Sequence, residues 1–326
     1  MKKLRRIFLM AVLILVVPAL VACGSQGRGG SSFPSKEITI IVPWNAGGGN
    51  DLMARKLQAV LQEEMEVAVV VKNVPGGNGV VGITEVINAK PDGYTVGVHT
   101  STTLSTIALG NADLKPEQWT SIAQISEDPL VLVVKADSPW NDLNAFVEHM
   151  RANPGKVTIA TPGTNNVNHA VAVMLADATG TEFQHVPFEG GALVIPQLLG
   201  GHVDAAVLKP SESMAQIKEG QFRALAINAE ERMKSLPDVP TFKESGVELF
   251  KTGDVKQMSF IVAPAGLDDA VRTKLIELFD QAIKSDTYQQ FAEESAFVTP
   301  RKTGSELDEE VKVQLQSLNE AFSKIF

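Results

Sequence analysis

Only one cysteine, Cys23, occurs in the 326 residues, so no internal disulfide framework and no cysteine-based zinc ribbon can form. Aromatic residues are scarce, at 6%, which leaves few platforms for stacking a sugar. Lys and Arg number 29 against 38 Asp and Glu, giving a formal charge of −9. A nucleic-acid binder would need the opposite balance. The five histidines, His99, His149, His169, His185 and His202, show no H-E-x-x-H spacing. No G-x-S-x-G elbow is present to supply a serine nucleophile. No cofactor is therefore expected, and nothing points to an enzyme. What is present is an ordinary globular balance, 44% hydrophobic, with enough chain for two lobes or one large α/β domain.

The charge is unevenly placed. Lys2, Lys3, Arg5 and Arg6 precede an apolar run from Ile7 to Val17, and small residues follow up to Cys23. A positive segment, a short apolar core and a small-residue exit make a secretory signal. The apolar run is shorter than the roughly 20 residues of a membrane span. Leu20-Val21-Ala22-Cys23 resembles a bacterial lipobox, in which the cysteine takes lipid and becomes the first mature residue. Residues 1–22 are thus expected to be a lipoprotein signal peptide. Cys23 is the expected lipidation site, and residues 23–35, rich in Gly and Ser, a flexible tether. Loss of the leader makes the mature chain more acidic still.

From Lys36 on, strand and helix patterns alternate. Ile38–Val42 is β-branched and closed by Pro43, which predicts a strand. The glycines at 47–49 follow, and then Leu52, Leu57, Val60 and Leu61 recur at helical spacing, with Asn50 or Asp51 as the expected cap. Val67–Val71, Thr95–Val98, Leu130–Val134, Val203–Leu208, Ala224–Ile227 and Ser259–Ala263 are further expected strands. Val157-Thr158-Ile159-Ala160-Thr161-Pro162 echoes Ile38–Pro43, and again a small polar loop and a helix come next. The repeat points to two similar lobes, and the alternation to parallel sheets with helices on their faces.

A loop that opens a helix suits an anion, because the first-turn N–H groups lack internal partners and the helix dipole adds positive charge. Gly47–Gly49, Gly163-Thr164-Asn165-Asn166 and Gly190-Gly191 all offer this geometry, although each alone could be no more than a tight connection. Trp44 either lines a pocket or packs, and His169 either faces a ligand or belongs to the core. Gly77–Gly82 matches G-x-G-x-x-G, but five residues separate it from the preceding strand, which is wrong for a dinucleotide turn. The glycines at 47–49 lack the G-K-[ST] ending of a Walker loop. The acidic pairs Glu63-Glu64, Glu230-Glu231 and Glu293-Glu294 are helix neighbours that do not face each other, hence solvated surface.

At these residues the chain resembles the receptors of tripartite tricarboxylate transporters, the Bug family. Ile41–Trp44 through Gly47–Asp51, Asn73–Gly79 and Pro91–Thr95 are similar to its first three motifs. Gly163-Thr164 with His169, Pro187–Gly191, Gly200–Asp204, Leu236–Thr241 and Ala263–Gly266 follow in order, so the likeness covers nearly all of the mature chain. The resemblance implies a type II periplasmic-binding-protein fold: two α/β lobes joined by two crossing strands, with a ligand cleft between them. The crossings are expected near Leu130–Val134 and Ser259–Ala263. Lobe 1 is then residues 36–130 with 260–326, and lobe 2 residues 131–259. It also implies an extracytoplasmic receptor for a small carboxylate, expected to be a monomer and, through Cys23, to be anchored to the membrane by lipid. The implied partners are a large and a small integral-membrane transporter subunit. Carried over to this chain, the ligand-binding positions are Asn45, Ala46, Gly47, Gly48, Gly49 and Asp51; Asn78 and Gly79; and His99, Thr100 and Ser101, with Trp44 beside the first loop as a further candidate. In the second lobe they are Thr161, Gly163, Thr164, Asn165, Asn166 and His169, with Phe188, Glu189, Gly190, Gly191 and Ala192. A sensor presenting the bound ligand to a signalling partner would use the same fold. An exported hydrolase would need a nucleophile–base pair that no motif supplies.

Overall fold

Two five-stranded sheets organise the chain. The computed structural model describes residues 33–249 and 255–326. The expected leader and Cys23 lie outside them. In the first sheet the order is β2-β1-β3-β10-β4, where β1 is Ile38–Val42, β2 Val69–Asn73, β3 Thr95–Thr100, β4 Trp119–Asp128 and β10 Gln257–Pro264. In the second it is β7-β6-β8-β5-β9, where β5 is Leu130–Lys135, β6 Thr158–Thr161, β7 Gln184–Pro187, β8 Ala205–Leu208 and β9 Phe222–Asn228. The two orders are the same plan. β1 and β6, the pair that echo each other in sequence, each sit second from the edge between their parallel neighbours.

The sheets are mixed rather than wholly parallel. β5 runs antiparallel to β8 and β9, and β10 runs antiparallel to β3 and β4. In each case the reversed strand is the one that arrives from the other sheet. The first crossing falls at Pro129, between the end of β4 and the start of β5. Proline has no N–H for the ladder, so pairing breaks there and the chain is free to change sheets. The return runs from β9 to β10 outside either strand, and β10 itself pairs only within the first sheet. Leu130 therefore pairs in the second sheet and Gln257–Ser259 in the first, a shift from the boundaries expected from sequence.

Helices cover both sheets: α1 Gly49–Glu64, α2 Val80–Ile87, α3 Ser101–Ala108, α4 Leu143–Ala152, α5 Val167–Thr179, α6 Gly191–Leu199, α7 Pro210–Lys218, α8 Asp269–Lys284, α9 Asp286–Glu294 and α10 Gly304–Ile325. β5 is buried on both faces, and its residues alternate between two apolar clusters. Leu130, Leu132 and Val134 join one, and Val131 and Val133 the other. The first cluster continues into the other half of the molecule through Leu104 of α3 and through Leu307, Val311, Leu318 and Phe322 of α10. Those α10 positions recur at helical spacing and form one apolar stripe. The stripe packs on α3 and β4 of the first sheet and on α5 of the second, so one helix spans both.

His99 belongs to this core. It is fully buried on β3, with its ring 4.9 Å from that of Phe260 and 4.7 Å from that of Trp119. Burial pulls its pKa down to about 3, against the weak opposing effect of the Thr100 carbonyl. The folded state thus refuses a proton that the unfolded chain accepts at about 6.5, so stability is lost as pH falls below the unfolded value. One such group contributes up to about 1.4 kcal/mol per pH unit. The H99F variant, which also removes an unpartnered Nε2, should therefore lose less melting temperature than the wild type between about pH 6.5 and pH 4. Equal slopes in a pH series of thermal melts would show that His99 titrates normally.

Candidate functional site

The site lies where strands of both sheets end and their loops meet. After β1, Trp44–Gly48 turns into α1. Gly47 has φ +83°, a value that favours glycine. The loop is pinned from behind by Asp51, whose carboxylate accepts from Gly47 N (2.9 Å), Arg55 Nε (2.9 Å) and Asn73 Nδ2 (2.9 Å). Asn73 Nδ2 also donates to Trp44 O (3.0 Å). Burial opposes ionisation of Asp51, but these hydrogen bonds and the Arg55 charge outweigh it and hold its pKa below the usual range. Asp51 therefore shapes the loop.

The cap expected at Asn50 or Asp51 is not used. α1 starts one turn edge earlier, at Gly49, and its cap, Gly48, offers no side-chain acceptor. α6 starts the same way, at Gly191 behind Gly190. Two helices thus present uncapped first turns, and they do so to each other. A Cβ placed on Gly48 would lie 4.0 Å from Ala192 N, and one on Gly190 would lie 3.8 Å from the Trp44 ring. Two amide side chains hold the facing loops together: Asn45 Nδ2 donates to Glu189 O (2.6 Å) and Asn78 Nδ2 to Thr164 O (2.9 Å).

The third expected seat differs. At Thr161–Asn166 the loop spends its polar groups on itself. Asn166 Oδ1 caps α5 by accepting from His169 N (3.0 Å), its Nδ2 donates to Pro162 O (3.0 Å), and Thr161 Oγ1 donates to Gly163 O (2.6 Å). His169 Nδ1 accepts from Asn165 N (3.2 Å), and its ring stacks on His185 at 3.6 Å and on Phe326 at 4.7 Å. Burial and the neighbouring His185 lower the His169 pKa to about 3. His169 is thus a neutral packing residue.

At the base of the cleft lies a buried charge that the sequence reading missed. Lys209, 2% exposed at the end of β8, donates from Nζ to Asp128 Oδ2 (3.0 Å), Asn50 Oδ1 (3.3 Å) and Ser259 Oγ (3.1 Å). Asp128 also accepts from Ser126 Oγ (2.6 Å). Lysine comes from the second sheet and its partners from the first side of the crossing, so the pair ties the halves together at the pivot. The signal was available: a charged residue between an apolar strand and Pro210 stands at the carboxyl end of a strand, where open α/β sheets meet their ligands.

These elements enclose a cavity of about 20 Å³, lined by Trp44, Asn45, Gly48, Gly49, Asn50, Thr102, Pro162, Asn168, Gly190, Gly191, Lys209, Glu212 and Gln257. That is room for about one water molecule. Trp44 Nε1 and Gln257 Oε1, both on buried residues of the lining, have no hydrogen-bond partner among the described residues. A larger pocket of about 470 Å³ opens outside, walled by Asn78, Val80, Val81, Gly163, Thr164, Phe188 and Glu189 among others. The expected site residues therefore divide. Trp44, Asn45, Gly48, Gly49, Gly190 and Gly191 line the inner cavity, and Asn78, Gly163, Thr164, Phe188 and Glu189 the outer one. Ala46 and Gly47 lie exposed at the loop tip, and Ala192 is in the first turn of α6. Gly79 packs against Thr103 and Trp44, Thr100 caps α3, and Ser101 Oγ accepts from Met258 N (3.0 Å). Neither those last three nor His99, Thr161, Asn165, Asn166 and His169 line either pocket. Lys209, Glu212 and Gln257 also line the inner cavity.

The family described as tripartite tricarboxylate transporter family receptor matches residues 53–307. A UPF0065 protein of Agrobacterium vitis is 30% identical over 318 residues, which is 96% of this chain and 90% of the relative. The structure of the periplasmic binding protein BugD superposes with a TM-score of 0.84 at 27% identity, over 90% of this chain and 98% of BugD. MatC of Rhodopseudomonas palustris, solved with bound malate, gives 0.81 at 25% identity, over 89% of this chain and 100% of MatC.

The buried pair yields a stability prediction. In K209M the Asp128 carboxylate stays buried without its cation, a loss of about 3–5 kcal/mol. The K209M/D128N double variant should recover part of it. Urea unfolding measures both. A loss below about 1 kcal/mol for the single variant would place the pair in the solvent-screened class.

Proposed function

The chain belongs to the tripartite tricarboxylate transporter receptor family, and from that premise we propose that it captures a small carboxylate in its cleft and delivers it to a membrane carrier. The observation that carries this reading is the pair of uncapped helix N-termini, at Gly48-Gly49 and Gly190-Gly191, facing each other across the cavity. Their first-turn N–H groups and dipoles favour a carboxylate, and the partnerless Trp44 Nε1–H adds a further donor. The malate bound to MatC supports the same ligand class.

Capture requires motion. A cavity of about 20 Å³ has no room for an organic acid, so the ligand enters an open form. Closure then brings α6 to α1 and makes the two amide bridges, Asn45 to Glu189 O and Asn78 to Thr164 O. Binding and hinge closure are the whole of the work, and no bond is made or broken. The cation at the base, Lys209, lowers the cost of holding an anion there while staying engaged with Asp128.

The reading extends to place and partners. Export behind the leader at 1–22 and lipidation at Cys23 would hold the receptor at the outer face of the membrane. Among the described residues no helix is long and apolar enough to cross a membrane. The large and small subunits of a cation-driven carrier would receive the ligand, and the receptor would act as a monomer.

A carboxylate panel tests the core of this. A true ligand at 100 times its Kd should raise stability by about 2.7 kcal/mol. G48V separates the cleft from the fold. Gly48 has an ordinary extended backbone (φ −78°, ψ 166°), and its Cβ position meets only Asn45 O at 3.4 Å and Ala192 N at 4.0 Å. The variant should melt like the wild type and lose the ligand-induced shift. A shift retained in G48V, or produced by sugars and by no carboxylate, would contradict the proposal.

A further inference from the structure

The anion seat already holds a carboxylate, and it belongs to the protein. Glu212 lies in the first turn of α7, where Oε2 accepts from Lys209 N (3.2 Å). From this anchor in the second half of the molecule its side chain reaches across the cavity. A Cβ built on Gly191 would fall 2.4 Å from Glu212 Cδ and 2.4 Å from Oε1. A Cβ built on Gly49 would fall 3.0 Å from Glu212 Cγ and 3.7 Å from Cδ. The carboxylate thus sits directly against the start of α6 and beside the start of α1. Glycine at 191 is what makes room for it.

The forces on this group are those expected for a bound ligand. Burial raises its pKa, while the Lys209 charge and the N–H groups of Lys209 and Gly49 favour the charged form, and Asp128 opposes it. Among the described residues no Lys or Arg side chain pairs with it directly, because Lys209 Nζ is spent on Asp128, Asn50 and Ser259. Independent of the helix ends, Trp44 Nε1 stands buried and partnerless in the same cavity, a donor awaiting an acceptor that Glu212 does not reach.

We propose that Glu212 is a built-in competitor for the ligand's carboxylate: a latch that occupies the seat between α1 and α6, holds the empty cleft shut, and must leave before the ligand enters. The latch rests on the carboxylate-receptor reading of that seat. It gives Glu212 a definite effect on affinity, since the measured Kd is the intrinsic one divided by the fraction of molecules with the seat free. It also sets a specificity threshold. A ligand that offers one weakly held oxygen cannot displace Glu212, whereas one that also satisfies Trp44 Nε1 can.

Two readouts on the full chain test this, one without ligand. In E212A and E212Q the amides at the start of α1 and α6 should exchange with solvent faster than in the wild type, by hydrogen-exchange mass spectrometry on the ligand-free protein. By calorimetry with malate, succinate and citrate, the carboxylate that binds should bind about tenfold tighter to both variants. Unchanged exchange in both variants would overturn the latch. Faster exchange with weaker binding would make Glu212 a ligand contact and overturn the competition. If no carboxylate binds any of the three proteins, the receptor reading fails by itself. The exchange rates alone then support or overturn the latch.

Discussion

Two helices that begin on glycine, with no side chain to cap them, are the constraint around which this molecule is arranged. The N–H groups that open α1 and α6 have no side-chain cap, and buried polar groups left without a partner are costly. The fold settles that cost by facing the two ends toward one point and supplying an acceptor there. That acceptor is the Glu212 carboxylate, which takes the Gly49 N–H of α1 and lies against Gly191 at the start of α6. On the proposed function, the carboxylate of the ligand takes its place. The chain as a whole is acidic, at −9, and repels anions at long range. On the proposed function, capture depends on local dipoles and on one buried lysine, not on a positive surface.

Everything else positions those two ends. The same strand order in both sheets places β1 and β6 in matching positions, and the crossing at Pro129 sets the sheets facing across a cleft. Asp51 locks the loop before α1, and the Lys209–Asp128 pair fastens the base. α10 lies on helices of both halves and closes the far side with an apolar stripe. The amide bridges of Asn45 and Asn78 join the facing loops, while the Lys209–Asp128 pair and the α10 stripe join the halves elsewhere.

Much of this was written locally in the sequence. The β-branched runs at 38–42 and 130–134, the glycine pairs and the echo at 157–162 all depend on neighbours a few residues away, and they gave the elements, the two-lobe plan and half of the cavity lining. The antiparallel strands were not legible, because direction is decided by which sheet the chain has just left. The surroundings of His99 and His169 were hidden for a related reason. The rings that pack on His99 come from Trp119 and Phe260, and those on His169 from His185 and Phe326, all distant in sequence. Asn166 offered donors for an anion and an acceptor for a helix end, and the nearer partner won. Lys209 and Glu212 went unnoticed because a charged residue at a strand end gains meaning only once the facing sheet is in place.

The central claim, that two opposed helix N-termini take one carboxylate, can be read at the atoms concerned. In a titration of uniformly ¹⁵N-labelled protein with a bound carboxylate, the amide resonances of Gly48, Gly49, Gly190 and Gly191 should shift together and along a single saturation curve, with the Trp44 indole N–H moving on the same curve. Saturating binding that leaves these glycine amides in place, and moves only residues outside the cleft, would contradict the account.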